Sequence, residues 1–124
     1  MEASIAFVKY SPVIGLLGFM FALATYGWLI KQPAGNTKMT EIAGLIEAGS
    51  MTFLKKEYTI LVAFLVVVAS LLAWQLSGKT ASCYLIGALT SMFCGWIGMK
   101  AATKANVRTA QAAASSGQGK ALLI

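Results

Sequence analysis

The sequence has no histidine and no aspartate, and its only acids are Glu2, Glu41, Glu47 and Glu57. Without His or Asp, the common zinc ligand sets, a Ser-His-Asp triad and a paired-aspartate site are excluded. Cysteine is almost as scarce. Cys83 and Cys94 have no Cys/His cluster around them, so neither a zinc site nor a disulfide framework is indicated. Eleven residues apart on one helix, they would stand about 16 Å from each other, too far to pair, and they read as small apolar fillers. There is also no glycine-rich loop carrying Lys and Ser/Thr to cradle a phosphate. Charged residues make up 11% of the chain, against about 25% in an ordinary soluble domain.

What fills the 124 residues instead is apolar: 58% are hydrophobic, and the mean hydropathy is +0.74. Ten Lys+Arg against four acids give a net charge of +6. A basic surplus can signal nucleic acid, but here the cations sit between long apolar runs. That pattern indicates a membrane surface and no nucleic-acid partner.

Three intervals carry no charge at all: Tyr10 to Ile30, Tyr58 to Gly78 and Thr80 to Met99, of 21, 21 and 20 residues. A helix crossing a hydrocarbon core of about 30 Å needs roughly 20 mostly apolar residues. Three intervals of near-identical length are therefore read as spans at 10–30, 58–78 and 80–99. Aromatics bracket each one: Tyr10 and Trp28, Tyr58 and Trp74, Tyr84 and Trp96. Amphipathic rings favour the headgroup level, so the pairs mark the two membrane faces. The first interval is too long for the apolar region of a cleaved leader, and no small-residue cleavage site follows it.

Eight basic residues (Lys31, Lys38, Lys55, Lys56, Lys100, Lys104, Arg108 and Lys120) fall on one side of these spans, and only Lys9 and Lys79 on the other. This asymmetry predicts cytoplasmic segments at 31–57 and 100–120 and an external N-terminus. Within 31–57, Pro33-Ala34-Gly35-Asn36 reads as a turn. Met39, Ile42, Ile46, Gly49 and Phe53 then recur at three- and four-residue spacing, an amphipathic helix running directly into the second span. The link Ser77-Gly78-Lys79-Thr80 forces spans two and three into an antiparallel hairpin. Gly87, Ser91 and Gly95, with Gly98 nearby, form a small-residue seam on span three; Gly18 and Ala22 form a shorter one on span one. After Lys100, an alanine-rich helix carries Lys100, Lys104 and Arg108 on one stripe, a solvated or phosphate-facing extension. Ser115-Ser116-Gly117-Gln118-Gly119 breaks it, and Lys120 to Ile124 resembles the first turn of a further apolar helix, so the chain is read as a fragment.

No acid or base lies inside any span, Cys and Tyr aside. A charge near the bilayer centre costs about 2.5–3.5 kcal/mol on insertion scales and is placed there chiefly for function. A chain with no mid-membrane carboxylate is a poor ion path by itself. The fold expected is an all-α membrane protein: three transmembrane helices, an amphipathic cytoplasmic helix and the start of a fourth span, all within one polytopic domain, 1–124.

The polar segments carry a resemblance. Lys31-Gln32-Pro33, Gly35-Asn36, Lys38-Met39, Glu41-Ile42-Ala43, Ile46-Glu47, Gly49 and Phe53-Leu54-Lys55-Lys56-Glu57-Tyr58 resemble the N-terminal region of the membrane-bound inorganic pyrophosphatases. The more specific match is Ile97-Gly98-Met99-Lys100 with Ala102-Thr103-Lys104-Ala105-Asn106-Val107-Arg108-Thr109-Ala110-Gln111-Ala112-Ala113, similar to the stretch after the third membrane helix in bacterial and archaeal members. The resemblance covers residues 10–124. It implies a pyrophosphate-energised proton or sodium pump of the cell membrane, working as a homodimer, whose inner ring of helices holds the hydrolytic site and ion gate. By that resemblance this chain supplies outer-ring helices one to three and needs the remainder of the pump chain. It also implies Mg2+, and K+ in some members, held by Asp-rich motifs that have no matching position here. No residue of this chain is therefore expected to be catalytic, cofactor-binding or metal-binding. The other reading left open is a free-standing three-helix membrane protein with a structural or assembly role.

Overall fold

The computed structural model describes the backbone of residues 2–124 and the side chains of residues 10–124, so the side chains of Glu2 and Lys9 lie outside the described residues. Helix α1 covers Glu2–Ile30, α2 Thr37–Gln75, α3 Gly78–Ser116 and α4 Gln118–Ala121. No strand occurs among the described residues. The chain divides into two compact units: residues 1–34 together with 108–124, and residues 35–107.

The breaks follow from local chemistry. After α1, Gly35 takes φ +91°, a left-handed conformation that glycine enters without a Cβ clash. Asn36 then caps α2: its side-chain oxygen accepts from the Met39 N–H at 2.9 Å, satisfying one of the donors a helix start leaves open. The expected turn at 33–36 is thus present, and the amphipathic segment continues without interruption into the apolar part of α2. Between α2 and α3 only Leu76 and Ser77 are non-helical. The Leu76 and Ser77 N–H groups both donate to the Leu72 carbonyl, and the Thr80 N–H donates to Ser77 Oγ at 3.2 Å. With Ser77 capping it, α3 begins at Gly78, so the helix boundary falls earlier than the 58–78 limit read from charge alone. Gly117, with φ +82°, ends α3. The break is one residue wide, and the next turn runs Gln118–Ala121 rather than beginning at Lys120.

Inside residues 35–107, α2 and α3 form the expected antiparallel hairpin. Its buried apolar side chains are Leu54, Ala69 and Ala81. Most large apolar groups face outward: Ile60 is 73% exposed and Trp74 81%. Water would penalise so much apolar surface, whereas hydrocarbon tails do not. Several hydroxyls in these stretches are satisfied within their own helix. Ser70 Oγ donates to the Val66 carbonyl at 2.7 Å and Thr90 Oγ1 to Ile86 at 2.7 Å, as a group in lipid requires. By length and composition, the helices at Tyr10–Ile30, Thr37–Gln75 and Gly78–Ser116 can each cross a membrane.

Candidate functional site

The polar contacts between α2 and α3 set the register of the hairpin. The Tyr58 hydroxyl donates to the Met92 carbonyl across the helix pair. Eleven residues nearer the start of α2, Glu47 meets Lys104 Nζ at 2.8 Å, twelve residues farther along α3. The antiparallel pairing is therefore kept for about three more turns. At 1.5 Å per residue, Tyr58 stands roughly 26 Å from the turn at 76–77 and Glu47 roughly 42 Å. A hydrocarbon core is only about 30 Å thick. With the turn at one face, Tyr58 reaches the opposite headgroup level and the Glu47–Lys104 pair lies beyond it, in water. The placement of charge along the hairpin thus matches what a bilayer allows.

At that same level, Lys100 Nζ sits 4.4 Å from the centroid of the Trp96 ring, within cation–π range, and the Trp96 ring stacks on Phe93 at 6.1 Å between centroids. The hydrogen bond from Lys104, and the positive charge of Lys104 and Lys100, hold the Glu47 carboxyl below its usual value against a smaller opposing effect of desolvation. In the other unit, Arg108 Nη2 donates to the Ile30 carbonyl at 3.2 Å. The last turn of α1 has no basic residue of its own, so the cation that complements this helix C-terminus comes from α3.

The stripe Lys100, Lys104 and Arg108, read from sequence as facing solvent or phosphate, is thus drawn into protein contacts with Trp96, Glu47 and Ile30. The small-residue seam is used selectively. A Cβ built on Gly95 would stand 2.7 Å from the Tyr58 hydroxyl oxygen, whereas one on Gly87, Gly98 or Gly18 would meet nothing within 4 Å. Cys83 and Cys94 are free and exposed on α3. The roles of Tyr58 and Glu47 were not read from the sequence. The signal was present, since a two-residue turn fixes which residues of α2 and α3 stand side by side.

Glu41, Glu47 and Glu57 do not converge. No group of three or more His, Cys, Asp or Glu side chains among the described residues is placed to hold a metal ion, and the Glu47 carboxylate is occupied by Lys104. These residues do not fit a magnesium site. The network can lock helices together at a membrane face, but it contains no nucleophile, base and electrophile brought to one point.

Long apolar helices with their ionic contacts confined to the ends define a multi-pass membrane protein. The chain belongs to the family described as inorganic H+ pyrophosphatase, whose model matches residues 16–124. It is similar to a Clostridium tetani protein named "Putative K(+)-stimulated pyrophosphate-energized sodium pump", with 48% identity over 96% of this chain and 18% of that protein. A K(+)-insensitive pyrophosphate-energized proton pump of Pyrobaculum aerophilum is 35% identical over 97% of the chain and 18% of its own length. A relative of the same description from Methanosarcina mazei is 40% identical over 92% and 17%. The chain thus spans about a fifth of the length of the curated relatives it matches.

Proposed function

We propose that this chain forms the first three membrane helices, in the outer ring, of a pump that couples hydrolysis of inorganic pyrophosphate to transport of protons or sodium ions. The observation that carries this is the family match across residues 16–124. The α2–α3 hairpin acts as scaffold: Tyr58 and the Glu47–Lys104 pair fix its register, and its outward apolar surface is available to lipid and to the helices that complete the protein. Hydrolysis needs carboxylates that gather magnesium and direct a water at phosphorus. Because Glu41, Glu47 and Glu57 do not gather, Mg2+, the pyrophosphate and any K+ are held by residues outside this chain, and none of its residues is catalytic. Spans at 10–30, 58–78 and 80–99 are flanked by cytoplasmic segments at 31–57 and 100–120, in one polytopic domain. The N-terminus is external and the complete protein is a homodimer in the cell membrane.

The test is phosphate release by the purified 124-residue chain in detergent with magnesium and pyrophosphate, with and without potassium and sodium. No turnover above a heat-treated control is expected. Turnover above that control would place a hydrolytic site within these residues and overturn the assignment.

A further inference from the structure

Two shallow depressions flank Tyr58. One, of about 410 Å3, is lined by Tyr58, Met92, Phe93 and Trp96. The other, of about 440 Å3, is lined by Lys55, Tyr58, Thr59 and Val62. Tyr58 lines both, so the two adjoin there as one shallow surface groove: the second depression lies on α2 alone, and the first reaches α3. Each is within the volume of an ordinary small-molecule cleft, about 300–1,000 Å3. Lys55 lines the second depression, and Lys100, which lines neither, sits over the Trp96 ring that lines the first. Lys55 is one turn from Tyr58 and Lys100 one turn from Trp96, both toward the polar end of the hairpin, about 30–33 Å from the turn at 76–77. That is the depth at which a hydrocarbon core of about 30 Å gives way to phosphates. Val62, Met92 and Phe93 lie on the apolar side of the aromatic pair. Glu47, the acid facing Lys100 across the hairpin, is committed to Lys104 at 2.8 Å; Glu57, beside Tyr58 in sequence, lies about 100° around the helix from it. Neither Lys55 nor Lys100 is in an ion pair among the described residues.

We infer that this groove binds an anionic glycerophospholipid, its phosphate between Lys55 and Lys100 and an acyl chain along Val62, Met92 and Phe93. The inference rests on the reading that α2 and α3 span a membrane. Charge complementarity selects the occupant: a surface with two lysines beside exposed aromatics at the phosphate level attracts an anionic headgroup, whereas a second apolar helix would leave the two ammonium groups without a counter-charge.

Trp96 reports directly on the groove. With Trp28→Phe and Trp74→Phe it is the only tryptophan, and the chain is reconstituted in phosphatidylcholine bilayers carrying brominated phosphatidylglycerol or, at equal bromine content, brominated phosphatidylcholine. The expected result is preferential quenching by the anionic lipid, of order thirtyfold for two lysines near the surface. In Lys55→Gln/Lys100→Gln the preference falls close to unity, while Lys79→Gln, beside the turn, retains it. Inorganic phosphate does not compete. Equal quenching by both lipids in the parent chain overturns the proposal without need of the variant, as does a preference unchanged in the double variant. Competition by inorganic phosphate would mean a simple anion site. Quenching by neither lipid in the longer protein would mean that a helix occupies the groove. Each of these results leaves the pyrophosphatase assignment standing.

Discussion

Replacing Gly95 by alanine sets two effects of similar size against each other. An alanine in a helix interior is favoured over glycine by about 0.8–1.0 kcal/mol. Its Cβ, however, would lie 2.7 Å from the Tyr58 hydroxyl oxygen, closer than real Cβ contacts allow. Tyr58 must turn away and give up its bond to the Met92 carbonyl. Interhelical hydrogen bonds in membranes contribute about 0.6 kcal/mol on average and about 1.7 at most. Gly95→Ala alone should therefore be near neutral or destabilising by up to about 1 kcal/mol. Tyr58→Phe removes the hydroxyl and leaves the ring carbon Cζ at 3.9 Å from the new methyl, an ordinary contact. In that background the same Gly95→Ala change should stabilise by about 1 kcal/mol. The double-mutant cycle should then show a coupling of about 1–2 kcal/mol. Reversible unfolding of the purified chain from mild into denaturing detergent, followed by far-ultraviolet circular dichroism, measures it. Equal effects of Gly95→Ala in both backgrounds would refute the contact and the register built on it.

The remaining expectations concern charge and topology. Because Lys104 lowers the Glu47 pKa in the folded hairpin, the pair stabilises above the ordinary carboxylate value of about 4.5 and that contribution is lost as pH falls below it. Glu47→Gln should remove this part of the acid sensitivity, and an identical pH profile of hairpin unfolding would count against the ion pair. For orientation, Cys83 and Cys94 are first replaced by alanine and single cysteines are introduced at Ser4, Thr37 or Lys79. An impermeant thiol reagent on intact cells should label the first and third and spare Thr37; the reverse pattern would invert the topology.

Most of the fold was legible because a bilayer imposes a length on uncharged sequence. The three charge-free intervals delivered the three long helices, and the spacing from Met39 to Phe53 showed that α2 begins well before the hydrocarbon. Gly35 and Asn36 marked its start through a positive φ and a side-chain cap. The limits near 76–78 shifted because charge counting cannot see Ser77 acting as a cap, which lets Gly78 begin α3 at once. The contacts of the polar ends were harder to read. Lys100, Lys104 and Arg108 form one stripe on paper, yet three different partners receive them: an indole, a carboxylate and a helix-terminal carbonyl. Lys100 and Trp96 are four residues apart on α3, but the Glu47 partner of Lys104 becomes visible only when the register of the hairpin is known, and the Ile30 carbonyl only when the end of α1 is placed. The small-residue seam was legible as composition, but of its glycines only Gly95 has a neighbour within 4 Å of where a Cβ would stand, the Tyr58 hydroxyl.

The most direct test of the central claim is ion uptake driven by pyrophosphate in inverted membrane vesicles from cells that express the reading frame containing this sequence, extended through the codons downstream of Ile124. Addition of magnesium pyrophosphate should release phosphate and drive proton or sodium accumulation in the vesicle lumen, abolished when the frame is stopped after Ile124. Vesicles carrying the extended protein that neither release phosphate nor accumulate either ion would contradict the assignment.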